Sequence, residues 1–138
     1  QVFKKDLLAP PHIGAINRHS SLLPSYGGLF PMFQALIHRE ERVGSTLHVM
    51  TSEIDCGVLV AQSTFAVTDD MTLYDFYERS YSDCGPLTVE SLSKIRDLGS
   101  TKLCNADFGV RNELERSYFG LPSEDDWLRF RQTNRRFC

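Results

Sequence analysis

No apolar run in this chain approaches the roughly 20 residues that a bilayer-spanning helix needs. No basic-then-apolar opening of the signal-peptide kind is seen either. Basic residues do not predominate: 15 Lys and Arg against 18 Asp and Glu leave a net charge of −3 and a pI of about 5.8. That balance argues against a general nucleic-acid binder, because neutralising phosphates takes a basic surface. Cysteines are few and scattered, at Cys56, Cys84, Cys104 and Cys138, with no Cys-x-x-Cys pair and no histidine at zinc-finger spacing. Reduced thiols of a cytoplasmic protein are the expectation, rather than a disulfide frame or a metal site. Gly-x-Gly-x-x-Gly and phosphate-loop strings are both missing, so a dinucleotide-binding reading has no support in these residues. Internal repeats and low-complexity linkers are missing too.

What is present is the composition of one globular domain: 138 residues, 41% of them hydrophobic, enough for a single core. Apolar residues alternate along 46–50, with Leu47 and Val49 on one face and Thr46, His48 and Met50 on the other, as a half-buried strand requires. A β-branched run at 58–67, carrying Gln62, predicts the next strand. Pro31 suits the first position of a helix whose apolar face is Phe33, Leu36 and Ile37, with His38 to Arg42 as its charged end. Thr72 with Asp75, and Ser123 with Asp126, read as capping boxes opening two more helices. Pro86 is expected to kink or restart the first of these, and Gly99 to end it. Trp127 and Phe130 form the apolar face of the last helix, and Arg129, Arg131, Arg135 and Arg136 its solvated side. Val2-Phe3 reads as the tail of a strand and Lys5 to Leu8 as one helical turn. Strands alternating with helices predict an α/β sandwich with a mostly parallel sheet.

One stretch stands apart: Gly14-Ala-Ile-Asn17-Arg18-His19-Ser-Ser21-Leu-Leu-Pro24. Successive strand residues face opposite ways, so Asn17 and His19 project together while Ile16 and Arg18 face the other side. An amide donor and an imidazole paired at a strand end make a plausible catalytic pair.

The string from Asn17 to Pro24, then Gly28, then Gly44-Ser-Thr46-Leu-His48, then Ile54-Asp55-Cys56-Gly57 and Gln62, closely resembles the formyltransferase family. That family includes glycinamide ribonucleotide, methionyl-tRNA and sugar-nucleotide formyltransferases. The resemblance covers residues 1 to about 67 and implies a three-layer Rossmann-like fold, of which this chain would be a C-terminal portion. It implies an enzyme of one-carbon metabolism with 10-formyltetrahydrofolate as co-substrate and no metal. Formyl transfer to an amine passes through a tetrahedral carbon bearing an oxyanion, and donors aimed at that oxygen contribute about 3–4 kcal/mol each. By the resemblance Asn17 and His19 are those donors, and Asp55 relays the proton with a water in reach. His48 would orient or charge-balance Asp55, with Ser21 in support. The folate would lie against Gln1, Val2 and Phe3 on one side and against Met50, Thr51, Ser52, Glu53 and Ile54 on the other.

The chain departs from the family pattern at Ser20, usually Pro or Gly, at Gly27, where an Arg often follows the tyrosine, and at Cys56-Gly57-Val58. Some eighty residues that family members carry ahead of this point are not in the sequence, so a piece of a longer protein, or a second copy covering the open sheet edge, is expected. Residues 1–100 would form the C-terminal portion of the catalytic domain and 101–138 an extension with a short helix. A small-molecule amine is the expected acceptor and tRNA the less favoured one. A formyltetrahydrofolate deformylase and a non-catalytic folate-binding module are the alternative functions.

Overall fold

The computed structural model describes Leu8, residues 11–98 and residues 101–138. The expected strand tail at Val2 and Phe3, the folate contacts at Gln1, Val2 and Phe3, most of the turn at Lys5 to Leu8, and the helix end at Gly99 lie outside the described residues.

Strand β1 (Ile16–His19) is followed by the two-residue strand β2 (Gly27–Gly28) and helix α1 (Pro31–Ile37). Strands β3 (Arg42–Val49) and β4 (Leu59–Ala66) come next, then helices α2 (Leu73–Ser82) and α3 (Cys84–Asp97). A short 3₁₀ turn (Leu103–Asn105), strand β5 (Tyr118–Phe119) and helix α4 (Glu124–Gln132) complete the order. The class is α/β as expected. The strand directions are a correction, because β1, β3 and β4 form a three-stranded sheet, order β1-β3-β4, in which both pairings are antiparallel. Parallel pairing is confined, among the described residues, to β2 with β5. The β3–β4 link spans only residues 50–58, too short for the crossover of a dozen or more residues that a parallel pair demands.

Register places Asn17 opposite His48 and His19 opposite Thr46. The other face of the sheet carries two apolar clusters. One joins Met32, Phe33 and Leu36 of α1 to Val43, Phe65, Phe76 and Phe130. The other joins Leu47, Val49, Val60 and Ala61 to Leu87 and Ile95 of α3 and to Leu103. Arg18 lies on that side, where it donates to Ser20, Ser45 and Ser80 and stacks 4.6 Å over the Tyr81 ring.

Helix α1 is shorter than its sequence suggests. Its charged end was expected to run to Arg42, yet Arg42 already opens β3. The chain turns at Arg39, which adopts left-handed φ of 58°. Arg39 N–H donates to Leu36 O at 3.0 Å and Glu40 N–H to Ala35 O at 3.1 Å, the two bonds of a Schellman ending without its usual glycine. Both capping boxes form as expected, at Thr72/Asp75 and Ser123/Asp126. As expected, the helix opened at Thr72 stops at Ser82 and restarts at Cys84, just ahead of Pro86. Pro86 sits in the first turn of α3, where its missing N–H is unneeded.

The C-terminal segment returns to this core. The Phe130 and Trp127 rings lie 5.2 and 4.6 Å from that of Phe33. Arg136 and Phe137 accept, through their carbonyls, from the Leu73 and Tyr74 N–H groups of α2 at 2.9 and 2.8 Å. Arg135 is not on a solvated face: its guanidinium donates to the Thr68 and Met71 carbonyls at 2.7 and 3.0 Å.

Two substitutions test this frame. Thr72→Ala removes the acceptor for Asp75 N–H and should cost about 1 kcal/mol in denaturant unfolding. A loss below about 0.3 kcal/mol would show that the C-terminal carbonyls cap α2 unaided. Gly57→Ala puts a Cβ into the Val49 carbonyl oxygen, so it should destabilise by about 3 kcal/mol. Wild-type stability in that variant would mean the 50–58 loop does not pack as described.

Candidate active site

Asn17, His19, His48 and Asp55 meet on the face of the sheet opposite the apolar clusters, at the end where β1 and β3 pair. The sequence brings Asn17 and His19 there by strand alternation and His48 by antiparallel register. Asp55 arrives by a separate route. It sits in the β3–β4 loop at φ 52°, a conformation uncommon for a residue with a side chain, though Asp is among those that tolerate it best. The loop is tied down at its flanks, where Val49 N–H donates to Val58 O and Met50 N–H to Ala15 O, both at 2.8 Å. Gly57 permits that approach, since its hydrogen faces the Val49 carbonyl.

The Asp55 carboxylate is nearly buried. Its Oδ2 accepts from the Gly28 N–H at 2.8 Å and lies 3.7 Å from His19 Nδ1, while Oδ1 lies 3.6 Å from His48 Nε2. Gly28 delivers that N–H from φ 91°, with the Phe119 carbonyl where a side chain would be. Only a glycine fits there.

Partners that can only accept fix the imidazole protons. His48 Nδ1 faces the Val49 carbonyl at 3.1 Å and must carry a hydrogen. Burial pushes the His48 pKa down, against the opposing pull of Asp55. The ring is therefore neutral at neutral pH, and its Nε2 lone pair accepts from Asn17 Nδ2 at 3.3 Å. Its approach to Asp55 is accordingly a contact of a neutral ring with a carboxylate and not an ion pair. For His19, Nε2 donates to the Tyr26 carbonyl at 2.8 Å, so Nδ1 is the nitrogen that faces Asp55. One Asn17 amide hydrogen is spent on His48, and the second is left for an oxygen in the site.

Ser21 belongs to the support. Its hydroxyl donates to the Ser25 carbonyl at 2.8 Å inside the loop after β1, and its carbonyl accepts from Thr46 Oγ1 at 2.6 Å. Met50, Thr51, Ser52, Glu53 and Ile54 form the loop beside Asp55. Thr51 Oγ1 both donates to the Glu53 carbonyl and accepts from its N–H, at 3.0 and 3.3 Å, and the Ile54 side chain is exposed.

Several residues support the site from behind: Thr46 and Gln62, which belong to the family-like string, and Asn112 and Ser117, which lie outside it. Thr46 and Gln62 clamp the Leu23 backbone, Thr46 Oγ1 accepting from its N–H at 3.1 Å and Gln62 Nε2 donating to its carbonyl at 2.9 Å. Asn112 Nδ2 adds a bond to the same carbonyl at 3.0 Å. Ser117 holds Tyr26 and Gly27, its hydroxyl accepting from Tyr26 N–H and its carbonyl from Gly27 N–H, at 2.8 and 2.9 Å. A Cβ at Gly27 would meet the Ser117 carbonyl oxygen at 3.3 Å, a tight contact, and Tyr118 and Asp55 at ordinary van der Waals distance. No signal in the sequence marks Asn112 or Ser117, because each acts through the loop it touches. Cys56, whose thiol pKa burial pushes up, donates to the Ile54 carbonyl and accepts from Arg116.

A carboxylate poised between two imidazoles, with an amide alongside, can hold an oxyanion and pass a proton. Comparison with known proteins bears on which reaction uses it. Residues 1–89 match the sequence family described as formyl transferase. A methionyl-tRNA formyltransferase of Agathobacter rectalis is 29% identical over 133 residues, 94% of this chain and 41% of the relative. One from Staphylococcus aureus is 39% identical over 95 residues, 69% of this chain and 30% of the relative. The chain thus spans less than half the length of these curated relatives. Among solved structures, the formyltransferase PseJ of Anoxybacillus kamchatkensis, in complex with UDP-4,6-dideoxy-4-formamido-L-AltNAc and tetrahydrofolate, superimposes with a TM-score of 0.72. It is 25% identical, over 93% of this chain and 64% of that one. Glycinamide ribonucleotide transformylase 1 of Symbiobacterium toebii gives a TM-score of 0.67 at 26% identity, over 70% and 46%. With the match to the family profile covering well over half of its residues, this chain belongs to the formyl transferase family.

Proposed function

We propose that the intact protein moves a formyl group from 10-formyltetrahydrofolate to the amine of a small-molecule acceptor, using Asn17, His19 and Asp55. The observation that carries this reading is the convergence of the Asp55 carboxylate on both imidazoles beside the Asn17 amide. The acceptor nitrogen attacks the formyl carbon, a C–N bond forms, and the carbonyl electron pair moves to oxygen. In this reading the free Asn17 amide hydrogen and His19 donate to that oxygen. Tyr26 takes the His19 Nε2–H, so His19 donates from Nδ1, on the Asp55 side, a role that requires a proton on both ring nitrogens. Asp55 takes the proton lost by the amine, through a water, and a proton passes to N10 as its bond to the formyl carbon breaks. His48 holds Asn17 from behind as a neutral acceptor. The folate rests against Met50, Thr51, Ser52, Glu53 and Ile54.

A small acceptor is favoured over methionyl-tRNA by the net charge of −3. The solved relative PseJ, in complex with a nucleotide-linked formamido sugar, supports the same choice. Among the described residues no helix is long and apolar enough to cross a membrane.

In the intact enzyme Asn17→Ala should lower kcat by about 10²–10³, and Asp55→Asn should lower it by a comparable factor, with circular dichroism unchanged. Turnover within threefold of wild type in either variant overturns the assigned roles, and formate as the sole product overturns transfer to an amine. A panel of aminosugar nucleotides, glycinamide ribonucleotide and methionyl-tRNA, with formamide detected by mass spectrometry, tests the acceptor class.

A pH prediction follows from His48. Its pKa is lowered in the folded state, so the unfolded chain binds the extra proton and stability rises with pH across the interval from the folded value up to about 6.5. Urea unfolding should show wild type losing stability below about pH 6.5, and His48→Gln losing measurably less. Parallel pH profiles would mean that His48 is not held neutral.

A further inference from the structure

Resting on the formyl-transfer reading, we propose that the cavity beside Asp55, rimmed by Arg111 and Arg116, is the subsite for the phosphate ester of a small sugar-phosphate acceptor. The cavity has a volume of about 310 Å³, with Leu23, Pro24, Gly57 and Leu59 giving it apolar lining and Asp55 one acidic group. Arg111, Asn112 and Arg116 complete the lining, with Arg116 against the Cys56 thiol. That size lies at the low end for small-molecule sites and suits a sugar phosphate.

The lining carries both signs of charge, as such an acceptor needs. Asp55 suits the ammonium from which the attacking amine derives. Arg111 is neutralised by Asp107, with oxygens at 2.7 and 2.9 Å. Arg116 is not: among the described residues no carboxylate lies within 4 Å of it, and its polar partner is the Cys56 thiol. Arg116, whose partner among the described residues is a weak, neutral acceptor, keeps its capacity for bidentate phosphate recognition.

Pinned backbone carries that arginine. Asn112 donates to Leu23 O and to Gln62 Oε1, at 3.0 and 3.4 Å. Ser25 donates to the Glu115 carbonyl, and Ser117 holds Tyr26 and Gly27. The rim is therefore preorganised by the same loop that places Gly28 on Asp55, which reduces the ordering cost of binding.

The test is direct binding by calorimetry to the intact protein, with ribose 5-phosphate, UDP and tetrahydrofolate as probes. Ribose 5-phosphate or UDP should bind wild type, lose about tenfold in affinity in Arg116→Gln, and recover in Arg116→Lys, while tetrahydrofolate binds all three alike. Equal binding of the organic phosphate to wild type and R116Q overturns the proposal, as does no binding to wild type. Weakened tetrahydrofolate binding in R116Q also overturns it, because the rim would then hold the folate's carboxylates. Binding is read without turnover, so the two readings fail separately. Organic phosphate held through Arg116 by an enzyme that forms no formamide supports the cavity and sinks the transfer reaction.

Discussion

The hydrogen bond from the Gly28 N–H to Asp55 is the contact on which the site depends. Asp55 occupies a loop between two antiparallel strands, in a left-handed conformation that the loop alone would not favour. Its carboxylate lies at 3.6–3.7 Å from two histidines, beyond hydrogen-bond range. The Gly28 amide is what fixes its orientation, and that amide belongs to a two-residue strand whose partner lies ninety residues further along the chain. Sheet register sets Asn17, His19 and His48, whereas chain packing at long range sets Asp55.

Supports of this kind recur around the motif. The backbone of Leu23 is gripped by Thr46, Gln62 and Asn112, from β3, β4 and the segment before β5. Tyr26, which engages His19, is held in turn by Ser117. Each bond contributes on the order of 1 kcal/mol. Together they bring the loop after β1 to a position that local preference does not dictate.

Much of this was legible beforehand, and the misses have definite causes. Strand alternation put Asn17 with His19, and the capping boxes at Thr72 and Ser123 marked two helix starts, because those signals are local and carried by residue type. Helix α1 ends early because a Schellman turn was built on Arg39, with no glycine to betray it. Strand direction is not legible, since alternation of helices and strands does not reveal which way a connection returns. Arg135 looks solvated in sequence, yet it serves two backbone carbonyls and stacks 5.8 Å over Phe76. The roles of Asn112 and Ser117 exist only through contacts far apart in sequence, which no single-sequence pattern encodes.

The family match ends at residue 89, but the molecule's dependence on its own chain does not. Phe130 is buried against α1, β5 lies alongside the glycines that steady Asp55, and the carbonyls at 136 and 137 meet the first amides of α2. A boundary drawn where the family match ends would cut through one packed unit and strip the candidate site of its scaffold. The recognisable motif is thus smaller than the smallest piece able to hold it in working order. Change in the last forty residues would reach the candidate site without altering Asn17, His19, His48 or Asp55.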